Sequence, residues 1–171
     1  MKRADKIIAL ATRYLNRLEK PDNKGFYNAE FEKEMKVAGW YVGAAWCAFF
    51  TKLIWSKAYA DYKPLQSVVD RMANGGALMT LNNFKNNGQF PITQNALPGS
   101  IAIWRMGDGS RGHAGIVVRK VDANTIETIE GNTNTSGSRE GDRVAAKLRT
   151  LNRPFKADGL NLYGFINPIE I

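Results

Sequence analysis

The sequence predicts an α+β fold in which N-terminal helices pack on an antiparallel β-sheet. Up to about residue 90 the apolar residues recur at helical spacing, whereas after Pro98 short β-branched runs alternate with turn residues. Helices that precede strands in this way are typical of the α+β class. The 171 residues are 44% hydrophobic and 23% charged, as in a globular domain. We therefore expect one domain over 1–171, helical over about 1–90 and β over about 98–168.

Three segments carry the helical part. Residues 2–20 place their apolar side chains on one face, and Pro21 ends this amphipathic helix. Residues 48–55 are apolar on nearly all sides, which predicts a helix buried on most faces. Residues 67–86 predict one or two short helices, interrupted at Asn74-Gly75-Gly76. The charged stretch 29–37 is assigned to no element.

The β part is predicted from β-branched runs bounded by turn residues. The predicted strands are 100–104, 113–121, 125–130, 144–151 and 160–166. The second and third of these are separated by Asp122-Ala123-Asn124 and predict an antiparallel hairpin. Residues 131–142, rich in Gly, Asn, Thr and Ser, predict a loop.

The charge balance is basic, with 24 Lys+Arg against 16 Asp+Glu and a net charge of +8. Such a surface favours polyanions (nucleic acid, anionic lipid or an acidic wall polymer), and it is equally consistent with a role in solubility alone. The chain has no nucleic-acid-binding motif and no interleaved basic and aromatic strand, so we expect no nucleic-acid partner. No apolar stretch approaches about 20 residues, so we expect no stable membrane insertion.

Cys47 is the only cysteine, which excludes an internal disulfide and a cysteine-rich zinc site. A free cysteine beside an apolar helix is most often a small buried hydrophobe. At the N-terminus of that helix, however, the helix dipole favours the thiolate, and the free N–H groups of the first turn can hold an oxyanion. Cys47 is therefore a candidate nucleophile.

His113, the only histidine, is the candidate base. A lone histidine is usually structural, but small residues on both sides leave this ring accessible, and a thiolate nucleophile needs such a partner. If Ala123-Asn124 is a two-residue turn, His113 faces Asn134, and Asn132 is its diagonal neighbour. Glu130 then lies four residues along, about 13 Å away. Counting thus favours Asn132 over Glu130 as the residue that orients His113, unless a bulge or a longer turn changes the register.

Four segments together resemble the CHAP-domain peptidoglycan hydrolases, relatives of the NlpC-type and papain-like cysteine peptidases. They are Ala45–Phe50 (AWCAFF), Leu97–Trp104 (LPGSIAIW), Gly112–Val117 (GHAGIV) and Ile126–Asn132 (IETIEGN). The similarity covers about residues 38–166. It implies a papain-like architecture with Cys47 as nucleophile, His113 as base and Glu130 as the orienting residue, assisted by Asn132. This order reverses the one that counting favours, so both residues are kept as candidates.

The sequence departs from the family at two places. Ser100 stands where the family commonly has Asp. Some CHAP domains also bind calcium through an acidic loop before the cysteine, but Asp22-Asn23-Lys24-Gly25 here lacks alternating carboxylates. We therefore predict neither a metal nor a cofactor.

The resemblance implies hydrolysis of an amide bond in peptidoglycan, with the choice between amidase and endopeptidase left open. The Tyr41 hydroxyl is a candidate oxyanion donor. Candidate substrate-binding residues are Trp40, Tyr41, Trp46 and Trp104, although core packing is the more ordinary role of such side chains. The alternatives are a non-catalytic basic module that binds wall polymer or nucleic acid, with Cys47 inert, and a cysteine transamidase that excludes water.

The N-terminus is a charged amphipathic helix rather than a secretory signal. For a wall hydrolase this favours a phage endolysin or an effector delivered by a secretion machine, although a chain lacking its leader would look the same. We expect a protein made in the cytoplasm that acts in the cell wall or periplasm. We also expect a monomer, with an immunity protein as partner if the protein is an effector.

Overall fold

The computed structural model describes residues 1–133 and 141–171. These residues form five α-helices followed by a six-stranded antiparallel sheet, which confirms the predicted α+β class. The helices are α1 (Arg3–Thr12), α2 (Ala29–Val37), α3 (Cys47–Ala58), α4 (Lys63–Met72) and α5 (Ala77–Asn87). The strands are β1 (Ile92–Thr93), β2 (Ile101–Met106), β3 (Gly112–Lys120), β4 (Thr125–Thr133), β5 (Arg143–Thr150) and β6 (Leu160–Ile166).

Two helices differ from the sequence prediction. Helix α1 ends at Thr12 rather than near Lys20, because Leu18 bridges to Arg143 at the start of β5 and cannot continue the helix. Residues 29–37, left unassigned above, form α2. Its N-terminus is capped by the Asn28 side chain, which accepts a hydrogen bond from the Phe31 N–H at 2.8 Å. The α2 face that carries Phe31 is buried in the core.

The sheet has the strand order β1-β6-β2-β3-β4-β5. One face packs against the helices through the main hydrophobic core, and α3 lies against β3 and β4. The other face carries a smaller cluster of buried apolar side chains: Ala96, Ala102, Trp104, Val117, Ile126 and Phe165. Trp104 of β2 is paired with His113 of β3, so His113 belongs to this second face. In the described part of the chain, no helix is long and apolar enough to cross a bilayer.

The register of the β3–β4 hairpin differs from the one obtained by counting. Lys120 pairs with Ile126, so the turn is one residue longer than expected, and a bulge between Val117 and Arg119 shifts the register once more. Val117 consequently pairs with Thr128. The facing position expected for His113, Asn134, lies outside the described residues, as does the rest of 134–140. Glu130 is brought two residues nearer to His113 than counting placed it.

Candidate active site

Cys47 is the first residue of α3, as the sequence predicted, and it is 6% exposed. Helix bonding leaves its own N–H free of an intrahelical partner, as in the first turn of any helix. Burial raises the pKa of the thiol. The charge of His113, a hydrogen bond with the His113 side chain, and the backbone N–H groups of Ala114 and Ala48 outweigh burial and lower that pKa below its ordinary value.

His113, near the start of β3, lies between Cys47 and Glu130. Its Nε2 is 2.7 Å from Oε2 of Glu130, and its side chain is 12% exposed. Burial lowers the pKa of the imidazole, but the charges of Glu130 and Cys47, with hydrogen bonds to both, raise it to about 10. The site therefore favours the thiolate–imidazolium form of the Cys47–His113 pair.

Glu130 is a fully buried carboxylate on β4, with 0% exposure. Besides His113, it accepts hydrogen bonds from Thr128 Oγ1 at 2.6 Å and from two nitrogens of Arg149. Burial raises the pKa of Glu130, but the Arg149 hydrogen bonds and the charge of His113 hold that pKa far below its usual range. Glu130 is thus ionised in the site, where a charge without such partners would be strongly unfavourable.

Asn132 lies within a second irregularity of β4, between Glu130 and Thr133, and it adopts a left-handed backbone with φ of 51°. Within the described part of the chain, the side-chain hydrogen-bond partner of His113 on β4 is Glu130 and not Asn132. The ranking by counting was therefore wrong about the geometry. The longer turn and the bulge bring Glu130 and Asn132 equally closer to His113, but the β4 ladder is irregular between Glu130 and Thr133, so the regular alternation that counting assumed does not hold at Asn132.

Sequence reasoning missed Thr128 and Arg149. Side chains alternate along a strand, so Thr128 and Glu130 lie on the same face of β4. The contact between them could therefore have been predicted from the sequence. Arg149 lies on β5, paired with Ile126, on the same face as Glu130. The pairing of Arg149 with Ile126 could not be predicted in this way. A register can be counted only across a short turn, and the predicted loop 131–142 separates these two strands.

The prediction that the tryptophans line a substrate-binding groove is wrong, because these side chains are buried. Trp40, Trp46 and Trp104 are 2%, 0% and 3% exposed, so they do not line an open surface. The Nε1 of Trp40 donates to the Ala44 carbonyl at 2.9 Å. Trp104 lies beneath the site, with its ring 5.9 Å from that of His113. Tyr41 differs from them, since it is 66% exposed and its ring contacts that of Phe49 at 6.4 Å.

Ser100, the first of the two expected departures, is fully buried and hydrogen-bonds to a residue outside the Cys47–His113–Glu130 set. Its Oγ hydrogen-bonds to Oδ1 of Asn167 at 2.7 Å, and Asn167 also donates to Thr93. Ser100 therefore ties the start of β2 to the chain beyond β6. Over residues 1–133 and 141–171, no group of three or more His, Cys, Asp or Glu side chains is arranged to hold a metal ion.

An open groove with a volume of about 640 Å³ lies along α2. It is lined by Lys20, Phe26, Tyr27, Ala29, Glu32, Lys33, Lys36 and Val37. The ring of Phe26 packs edge-to-face against Trp46, 4.9 Å away, and Trp46 precedes Cys47 in the chain. The groove is therefore joined to the segment that carries the thiol by two packed aromatic rings.

A helix-borne cysteine, a strand-borne histidine and a buried carboxylate that faces the histidine form the arrangement used by cysteine hydrolases. The model of the CHAP domain family matches residues 38–132, more than half of the chain, so this chain belongs to the CHAP domain family. CHAP domains are typically cysteine or amidase hydrolases of the cell wall. Cys47, His113 and Glu130 all lie inside the matched region, whereas Arg149 lies outside it. A search of the curated proteins found no match to the chain.

Proposed function

We propose that this protein hydrolyses an amide bond of peptidoglycan, in the stem peptide, the cross-bridge or the sugar–peptide link, with Cys47 as nucleophile. The observation that carries the proposal is the connected set Cys47–His113–Glu130 in a CHAP-family fold. The lowered pKa of Cys47 and the raised pKa of His113 support it, because together they supply a thiolate and a proton donor at neutral pH.

In the acylation step, the Cys47 thiolate attacks the carbonyl carbon and forms an S–C bond, while the carbonyl π electrons move onto oxygen. The backbone N–H of Cys47 and the Tyr41 hydroxyl stabilise this oxyanion. When the tetrahedral intermediate collapses, the C–N bond breaks, and His113 gives its proton to the leaving amine. The products of this step are a free amine and a thioester on Cys47.

In the deacylation step, neutral His113 takes a proton from water as the water oxygen attacks the thioester carbonyl. The C–S bond then breaks, which releases the carboxyl product and restores the thiolate beside a protonated His113. Because Nε2 of His113 faces Glu130, Nδ1 is the ring nitrogen left to serve the thiol and the water. Glu130 orients the ring and stabilises the imidazolium, and Asn132 assists from the adjoining backbone irregularity.

The basic groove along α2 supports a polyanionic substrate. Lys20, Lys33 and Lys36 surround it, and Tyr27, 65% exposed, offers an aromatic surface. With a net charge of +8, the protein is attracted to an anionic wall, and the groove concentrates part of that charge beside the segment that leads into Cys47. The protein acts in the bacterial wall as a monomer, after release as an endolysin or delivery as an effector; in the second case an immunity protein is its partner.

The test is zymography on purified cell walls with the wild type, Cys47→Ala and Cys47→Ser. Lysis by the wild type and its loss in both variants is the expected result, since the chain has no second thiol. Undiminished lysis by Cys47→Ala would show that Cys47 is not the nucleophile. Wall binding without lysis in the wild type would instead favour the non-catalytic module. Mass spectrometry of the released fragments distinguishes amidase from endopeptidase cleavage, and acceptor-linked products would reveal a transamidase.

A further inference from the structure

We propose that Arg149 is a positioning residue that holds Glu130 ionised and directed at His113 throughout the reaction cycle. This proposal depends on the proposed function only where its test measures hydrolysis of cell walls. It concerns a strand, β5, that lies outside the region matched by the family model.

The contact is a two-point clamp. Nε of Arg149 donates to Oε1 of Glu130 at 2.8 Å, and a terminal guanidinium nitrogen donates to Oε2 at 2.5 Å. A planar guanidinium that binds both oxygens fixes the rotation of the carboxylate as well as its position. The Oε2 atom that Arg149 holds is the same one that faces Nε2 of His113 at 2.7 Å.

Arg149 is itself held in place. Its guanidinium carbon lies 5.3 Å from the centroid of the Trp104 ring, a cation–π contact. Trp104 also packs against the ring of His113. One buried indole thus supports both the arginine and the histidine that flank Glu130, so the three side chains share a common platform.

His113 alone cannot balance the buried charge of Glu130 throughout the reaction cycle. His113 gives up its proton to the leaving amine, and while it is neutral it no longer balances the charge of Glu130. Arg149 keeps its charge at every working pH, and it remains to balance a carboxylate that is fully buried. Among the described residues, the charged groups that act on Glu130 are His113 from β3 and Arg149 from β5, and those that act on His113 are Glu130 from β4 and Cys47 from α3. Lys147, which pairs with Thr128, lies on the same face of β5 as Arg149.

The composition makes the test unusually direct, because the chain has one histidine and one cysteine. Imidazole NMR therefore titrates His113 alone, and iodoacetamide alkylation against pH reports Cys47 alone. The variants are Arg149→Met and Arg149→Lys. The matched control is Arg119→Met, which removes an exposed arginine paired with Glu127 at 2.7 Å on the same hairpin.

In Arg149→Met we expect the pKa of His113 to fall from about 10 toward its ordinary value, because Glu130 becomes neutral or turns away. The alkylation profile of Cys47 then moves to higher pH, and kcat/KM on cell walls falls about 10- to 100-fold. Arg149→Lys retains the charge without the two-point clamp and gives an intermediate His113 pKa. Arg119→Met leaves all three readouts at wild-type values.

An unchanged or higher His113 pKa in Arg149→Met would overturn the proposal and leave Arg149 a packing residue. If the methionine variant fails to fold, Arg149→Lys decides, and a wild-type His113 titration in that variant would equally overturn it. The NMR and alkylation readouts need no substrate. A wild type that does not cleave walls would thus refute the proposed function while the role of Arg149 is still measured.

Discussion

Nε2 of His113 lies 2.7 Å from Oε2 of Glu130, although the two residues belong to different strands of a hairpin and are 17 positions apart. Two single-residue shifts in the hairpin bring them together. The longer turn moves the register once, and the bulge between Val117 and Arg119 moves it again. Each shift alone would reverse the faces of the strand, whereas both together restore the original face and bring Glu130 within reach.

The first prediction concerns the pH dependence of hydrolysis. The raised pKa of His113, about 10, means that the imidazolium is lost only as pH rises through that value. The lowered pKa of Cys47 means that the thiolate persists to pH values below the ordinary range of a thiol. We therefore expect a bell-shaped profile of kcat/KM against pH, with its basic limb near pH 10.

Alkylation of Cys47 by iodoacetamide, followed over the same pH range, should reproduce the acidic limb of that profile. His113→Ala provides the control, because without the imidazolium the thiol pKa should rise. A thiol that titrates at its ordinary value in the wild type would contradict the ion-pair arrangement.

The second prediction separates Glu130 from Asn132. Glu130→Gln keeps the size of the side chain and removes its charge, so the imidazolium loses its stabilising partner. We expect kcat to fall about 100-fold or more and the pKa of His113 to decrease. Steady-state kinetics and the NMR titration of His113 measure both effects.

A substitution at Asn132 must tolerate its left-handed backbone, because a φ of 51° is unfavourable for most side chains. Asn132→Gly removes the amide and keeps that conformation accessible, whereas Asn132→Ala adds strain. We expect Asn132→Gly to leave the pKa of His113 unchanged. If Asn132→Gly abolishes hydrolysis while Glu130→Gln retains it, the orienting role passes to Asn132.

The sequence predicted the elements that carry this site better than the contacts between them. The α+β class, the helix that begins at Cys47 and the hairpin that carries His113 follow from local periodicity and turn residues. The pairing of Glu130 with His113 depends on a bulge within a β-branched run, which no residue type marks. The Arg149 clamp depends on the β4–β5 register, and the burial of Trp40 and Trp46 depends on packing among rings far apart in the chain.

The third prediction concerns wall binding through the basic groove. Replacing Lys20, Lys33 and Lys36 together by Gln removes three charges from its rim, so binding to purified walls should weaken and depend less on salt. Cosedimentation in a Cys47→Ala background measures binding without cleavage. The control replaces three exposed lysines elsewhere, Lys63, Lys120 and Lys156, for the same change in net charge. Equal loss in both triple variants would assign the attraction to net charge rather than to the groove.

The fourth prediction uses Gly115, which lies beside Glu130 on the neighbouring strand. A Cβ at this position would stand 2.6 Å from Cγ of Glu130, closer than side chains tolerate, so either the carboxylate or β3 must move. Since Glu130 is clamped by Arg149 and Thr128, we expect Gly115→Ala to disturb the His113–Glu130 contact. Hydrolysis should fall at least about 10-fold, and the pKa of His113 should decrease.

Gly164→Ala on β6 is the matched control for this substitution. A Cβ there has its nearest neighbour, Nε2 of Gln94, at 3.6 Å, which is ordinary van der Waals contact. Both variants add one methyl group to a strand of the same sheet, so a difference between them reports the geometry around Glu130 and not the loss of a glycine. Wild-type hydrolysis in Gly115→Ala, with an unshifted His113 titration, would contradict this prediction and show that Glu130 needs no fixed position. The structure favours a fixed position, because His113, Thr128 and Arg149 all hydrogen-bond to the buried carboxylate.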